Sequence, residues 1–163
     1  MPRQPDKAAL REELARSMAA DLALRERAYE GARAGATDEE AKPENDKDTR
    51  ALEQSYLARG EAVRVEELRT ALAEVRGFLV RAFGAEDPVA LGALVTTEDD
   101  DGSTTVLWLA PHGGGAKLSG GAVQVVTPKS PLGRAIVGAR AGDACEVAVG
   151  GKKRKTLTLV EVK

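Results

Sequence analysis

The apolar positions change their rhythm near the middle of the chain. Over residues 1–83 they recur at intervals of three and four, among Ala, Leu, Glu and Arg, all good helix formers. Over residues 84–163 they fall in short alternating or continuous blocks, separated by glycines and other turn formers. The segment at 83–88, Phe-Gly-Ala-Glu-Asp-Pro, has the composition of a linker between the two grammars. The pattern predicts an α+β chain, with a helical part over 1–83 and an antiparallel β domain carrying one short helix over 84–163.

The helical part reads as two helices. The first is expected from about Lys7 to about Arg33, with Leu10, Leu14, Met18, Leu22 and Leu24 as a drifting apolar stripe. The second is expected from about Asp48 to about Phe83. Its seam is sharper: Val65, Leu68, Leu72, Val75, Leu79 and Ala82 follow one another at steps of 3, 4, 3, 4 and 3. Extended backward, the seam meets Glu61, Ala58, Gln54 and Ala51, which are polar or small. Helices of roughly 27 and 35 residues are rods of about 40 and 50 Å at ~1.5 Å per residue. A short connector folds them most simply into an antiparallel coiled-coil hairpin, and Pro43 opposes one uninterrupted helix. A dimer formed through the seam is the other reading.

In the β domain, strands are expected at 90–97, 104–110, 122–128, 144–149 and 155–162. Ser130 as N-cap, Pro131 in the first turn and Gly138 at the end mark out a short helix. Leu157 and Leu159 give way to Val160 and Val162, so the last strand shifts its inward set by one residue, as a bulge does.

Composition closes several functional routes. Aromatic residues make up only 3% of the chain, too few for base-stacking platforms. A net charge of −2 gives no global field toward nucleic acid or membrane. The single Cys145 cannot form an internal disulfide, and the single His112 excludes the usual zinc sets. With no signal-peptide pattern and no long apolar run, the chain reads as soluble and cytoplasmic. The segment Gly113–Gly121 tempts a phosphate-loop reading, but Ala116 precedes Lys117 where that motif has glycine. It reads as a surface loop with His112 beside it. Lys152, Lys153, Arg154 and Lys155 offer contacts to nucleic-acid phosphates but no means of reading bases, and fit a solvated hairpin turn. The acids at 98–101 fit another turn.

The connector is the exception. Residues 36–48 carry Asp38, Glu39, Glu40, Glu44, Asp46 and Asp48 with no large apolar side chain. Mg²⁺ favours hard carboxylate oxygens and commonly takes one or two of them with waters and substrate phosphates. The acids therefore read either as a solvated loop or as carboxylates that complete a metal site half-built by another macromolecule.

An acidic connector between two helices, followed by "VTPKSPLGRAIVGARAGDACEV" (126–147), resembles the GreA/GreB family of bacterial transcript cleavage factors. "SPLGRAIVG" followed by "GD" is the specific part, and "RVEELRTAL" (64–72) matches more weakly. The resemblance implies an FKBP-like fold for the C-terminal domain, without isomerase activity. It implies a partner, bacterial RNA polymerase, met at the secondary channel, and indirect action on the nascent RNA 3′ end. By the same resemblance the hairpin enters the channel, and its acids hold the second Mg²⁺, shared with the polymerase active site, which activates water to cut backtracked RNA. The isolated monomer would then have no activity, tightly bound cofactor or membrane contact of its own. Glu40 and Glu44 are the implied catalytic and metal-holding pair, with Asp38 and Asp46 as further metal ligands; Ser130, Pro131, Leu132 and Arg134 are the implied docking residues.

Glu44-Asn45 matches the family's Glu-Asn step. Ala41 stands where the family has an aspartate, and Lys47-Asp48 where it has Glu-Tyr. A channel-occupying regulator without cleavage activity is therefore a second reading. A coiled-coil dimerisation and chaperone module is a third, from another class.

Overall fold

The computed structural model describes residues 5–37 and 50–163, with the side chains of 36, 37, 50 and 51 left aside. It divides into two compact units. One is Arg16–Ala73; the other joins Met1–Ala15 to Glu74–Lys163. The division falls inside the helices, whereas the composition changes at 83/84. None of the described helices is long and apolar enough to cross a membrane.

Two helices supply the first unit: α1 (Lys7–Thr37) and α2 (Arg50–Gly77). Asp6 starts α1 by accepting from the Ala8 amide at 3.1 Å, an N-cap contact that satisfies one of the orphan donors of the first turn. Within Arg16–Ala73 the helices run antiparallel, since Gly35 of α1 lies beside Gln54 of α2 and, further along, Glu26 of α1 pairs with Arg69 of α2 at 2.8 Å. Met18, Val65 and Leu72 are buried, as the seam requires, while Leu24 is 60% exposed and lies off it.

The second helix ends at Gly77, short of the expected Phe83. Glycine is among the poorest helix formers. Beyond it the chain leaves the helix so that Phe78 packs at a tilt of 44° against Trp108, with ring centroids 5.6 Å apart, and Phe83 enters the core. Leu79, taken from the heptad pattern as a seam residue, is 79% exposed.

The other unit contains a six-stranded sheet in the order β3-β4-β2-β1-β6-β5. Its strands are β1 (Leu94–Asp99), β2 (Thr104–Leu109), β3 (Lys117–Leu118), β4 (Val123–Val126), β5 (Ala144–Val149) and β6 (Lys153–Val162), with α3 at Pro131–Ile136. The β2–β4 ladder is parallel, so the sheet is mixed rather than wholly antiparallel. The reason lies in 111–121, expected as a plain loop. There the chain makes β3 and a 3₁₀ turn before β4 returns in the direction of β2. The bulge expected near Val160 is present: Thr96 pairs with Glu161 and Thr97 with Leu159, leaving Val160 unpaired and exposed.

β2 is interior to the sheet and buried on both sides, which accounts for its unbroken apolar run. On one face Trp108, paired with Val125, meets Phe78; Leu10 and Leu14 in the first turns of α1 are each 1% exposed. On the other, Val95, Leu107, Leu109 and Leu159 form the main core with Ile136 of α3. Gly113, at φ +84°, lets the loop pass over Leu14; a Cβ there would sit 2.6 Å from Leu14 Cδ1.

The start of α1 is tied down by Lys7, whose Nζ donates to the carbonyls of Arg81 and Lys163 at 2.8 and 2.5 Å. Burial, and then the neighbouring Arg81, push its pKa down to about 8. Between pH 8 and the ordinary lysine value of 10.5 the unfolded chain therefore binds more protons at this site. Lys7 thus adds a stability increment that rises with pH through that window. Lys155, raised by its hydrogen bond to Asp99, works in the opposite direction above 10.5. The stability difference between the natural chain and Lys7→Met should therefore change with pH between 8 and 10.5 and be flat between 6 and 7.5, by urea unfolding.

Candidate functional site

The helix ends that flank the acidic connector face each other. A Cβ on Gly35 would lie 2.9 Å from Gln54 Oε1, so the last turn of α1 and the first turns of α2 are neighbours. Residues 38–49 join these ends in sequence. Asp38, Glu39, Glu40, Glu44, Asp46 and Asp48 all lie outside the described residues. Among the described residues, no group of three or more His, Cys, Asp or Glu is placed to hold a metal ion.

The described part of α2 next to the connector carries features that heptad reasoning passed over. Leu52, Tyr56 and Leu57 are 53%, 61% and 57% exposed. Tyr56 and Leu57 border a shallow cavity of about 470 Å³ with Glu53, Gly60, Glu61 and Arg64. The signal was in the sequence: these apolar residues lie off the seam positions 51, 54, 58 and 61.

The C-terminal motif is fully described. Ser130 caps α3: its Oγ accepts from the Gly133 amide at 3.0 Å and donates to the Thr127 carbonyl at 2.8 Å. Pro131 stands in the first turn, where no intrahelical N–H is needed. Leu132 is half-buried against the core. Gly133 presses on the preceding loop, and a Cβ there would lie 1.9 Å from the Thr127 carbonyl oxygen. Arg134 is exposed, and its guanidinium makes no hydrogen bond or ion pair among the described residues. The capping is structural, and Arg134 leaves its charge exposed. Ser130→Ala should cost about 1 kcal/mol, as loss of an N-cap generally does, read as a lower thermal midpoint with the spectrum of the folded state unchanged.

The other sequence features fall where a solvated reading puts them, with added ties. His112 Nε2 lies 2.5 Å from Glu74 Oε2. Arg154 pairs with Glu146 at 2.8 Å, and Lys155 with Asp99. Asp99, Asp101 and Ser103 close the turn between β1 and β2. Cys145 is buried, and burial followed by the nearby Asp143 charge raises its pKa, so it is an inert core thiol.

A family model described as "Transcription elongation factor, GreA/GreB, C-term" matches residues 84–163. Among solved structures, the GreA factor homolog 1 (Gfh1) protein of Thermus thermophilus is 16% identical, covering 91% of this chain and 94% of that one at a TM-score of 0.40. Thermus aquaticus Gfh1 is 17% identical over 90% and 92%, at 0.41. The elongation factor GreA/GreB of Nitrosomonas europaea is 18% identical over 69% and 92%, at 0.38. No curated protein matches the chain. The domain at residues 84–163 belongs to the GreA/GreB family of transcription elongation factors.

Proposed function

We propose that this chain acts on bacterial RNA polymerase through its secondary channel and promotes cleavage of backtracked RNA. The observation that carries the reading is the meeting of Gly35 and Gln54 at the two ends of the acidic connector, in a chain whose C-terminal domain is of GreA/GreB type. An antiparallel helix pair ending in carboxylates is suited to delivering them into a deep cleft.

In this reading the FKBP-like C-terminal domain docks at the channel rim through the segment Ser130–Arg134. Glu40 and Glu44, helped by Asp38 or Asp46, supply carboxylate oxygens at the polymerase active centre beside the RNA 3′ end. Hard oxygen donors of this kind fit Mg²⁺. A second Mg²⁺ held there would supply a water activated for attack on the RNA phosphodiester. The carboxylates neutralise positive charge and orient that site; the free monomeric chain has neither nuclease activity nor a tightly held metal.

A second reading keeps the channel and drops the cleavage. It is favoured by Ala41 and by Lys47-Asp48, which replace acidic and aromatic positions of the family pattern. One experiment separates the two: a stalled, backtracked bacterial elongation complex with 3′-labelled RNA, Mg²⁺ and the added protein. Rapid release of short 3′ fragments supports the first. Slowed extension without release supports the second. Absence of both, with no binding, overturns the polymerase reading and leaves the dimerisation module, which light scattering over a dilution series would reveal.

A further inference from the structure

One face of α2 beside the connector stands apart from the seam. Glu53, Tyr56, Leu57, Gly60, Glu61 and Arg64 follow one another at steps of 3, 1, 3, 1 and 3, the spacing of a single helix face. They line the shallow cavity of about 470 Å³. Met18, Val65 and Leu72 are buried along the seam, while Tyr56 and Leu57 leave their apolar surface in solvent.

Three features of this face ask for a partner, and the same face of a second copy meets each of them. First, it is apolar. Leu52 and Val63 are exposed with Tyr56 and Leu57, and apolar side chains gathered on one side of an exposed helix mark a contact surface. Second, Gly60 leaves a gap. Its φ is not positive and a Cβ there would meet nothing within 4 Å, so neither backbone conformation nor internal packing requires glycine, which weakens a helix interior. A missing Cβ lets another surface approach closely. Gly31 is equally bare, but the residues three and four away are Arg27, Ala28, Ala34 and Gly35, with no large apolar side chain to match. Third, the face is self-complementary. About a two-fold axis between Ala58 and Arg59, Leu57 falls opposite Gly60, Tyr56 opposite Glu61 and Glu53 opposite Arg64. A bulky side chain meets a gap, and an acid meets a base, twice over. Glu61 adds no repulsion, since Arg64 lies 3.4 Å and Arg25 of α1 4.0 Å from its carboxylate oxygens.

We infer that two copies of this chain pair antiparallel through this face. Leu57 of each copy sits over Gly60 of the other, and Glu53 of each faces Arg64 of the other. The contact is isologous, so it closes as a dimer. One helix from each copy makes it, which keeps it below the ~1,200 Å² of stable complexes and makes it weak and concentration-dependent. It leaves each hairpin intact, unlike a dimer through the seam. A pair of hairpins is wider than one. On the proposed function, on which this consequence alone rests, the dimer is a form held out of the polymerase channel.

The test is sedimentation equilibrium of the full-length chain at low salt, from about 10 μM to about 1 mM, the range of a weak association. The expected result is monomer at the low end and dimer at the high end. Glu53→Arg alone and Arg64→Glu alone each set like charges together at both ends of the contact, and each should weaken pairing about tenfold or more. Mixed in equal amounts, the two variants restore acid against base in a heterodimer, and association should return. Gly60→Leu favours the helix and adds apolar surface, yet it fills the gap and should abolish pairing. A chain still monomeric at the highest concentration overturns the inference. So do single variants that stay apart when mixed, stronger association of Gly60→Leu, or a dimer that none of the variants alters, which would belong to the seam or another surface. No polymerase enters the measurement, so this inference and the cleavage reading fail separately.

Discussion

Replacing Glu40 and Glu44 together by glutamine is expected to reduce cleavage of backtracked RNA about a hundredfold or more, while polymerase binding stays within about twofold. The amides keep the size of the side chains and remove the two charges that make carboxylates good Mg²⁺ ligands. Each single variant should fall between the natural chain and the double one, since Asp38 and Asp46 stand close enough in sequence to take over part of the role. The measurement is the single-turnover rate of 3′-fragment release at several Mg²⁺ concentrations. A rate restored by raised Mg²⁺ assigns the acids to metal retention. An unchanged rate in the double variant would remove the connector from the chemistry.

Gly133→Ala is expected to be the most damaging single methyl in the C-terminal domain. Its Cβ would enter 1.9 Å from the Thr127 carbonyl oxygen and 2.8 Å from the carbonyl carbon, both backbone atoms that cannot rotate away. Either α3 lifts off the sheet, pulling Ile136 from the core, or the Ser130 cap breaks. Overpacking of this kind costs about 1–3 kcal/mol, and the rigidity of the neighbour places this case at the upper end. Gly31→Ala is the contrasting control. It stands exposed inside α1 with nothing within 4 Å, and should stabilise by about 0.5–1 kcal/mol through helix propensity. Urea unfolding of the two variants reads both signs in one experiment.

The same two glycines show what the sequence makes legible. The short helix α3 could be placed from Ser130, Pro131 and Gly138, because capping chemistry is local and needs no partner from elsewhere. The slip at Val160 was readable for a similar reason: side chains in a strand alternate strictly, so one residue out of step marks a bulge. The close packing of Gly133 on Thr127 was not readable, since it depends on how the chain returns over itself.

Where local patterns met tertiary competition, they gave way. The heptad ran on through Leu79 and Ala82, but Gly77 and the pull of Phe78 toward Trp108 ended the helix first. Strand direction was equally hidden. Nothing in the apolar run of β2 or β4 says that they lie parallel; that follows from β3 and the 3₁₀ turn, built from a glycine-rich stretch that has no periodicity of its own. Of the candidate site, the capping of α3 by Ser130 was legible down to its hydrogen bonds. The carboxylates were legible as composition and lie outside the described residues.

The central claim is that the acidic connector reaches the polymerase active centre, and a tethered cleavage probe tests it most directly. Glu44→Cys supplies the thiol for an iron chelate, and the chain's own Cys145 is buried and does not compete. Bound to a bacterial elongation complex and triggered with ascorbate and peroxide, the probe should cut polymerase chains beside the catalytic aspartates and nick the RNA near its 3′ end. Cuts confined to the outer surface of the polymerase, with the labelled protein demonstrably bound, would contradict the channel reading.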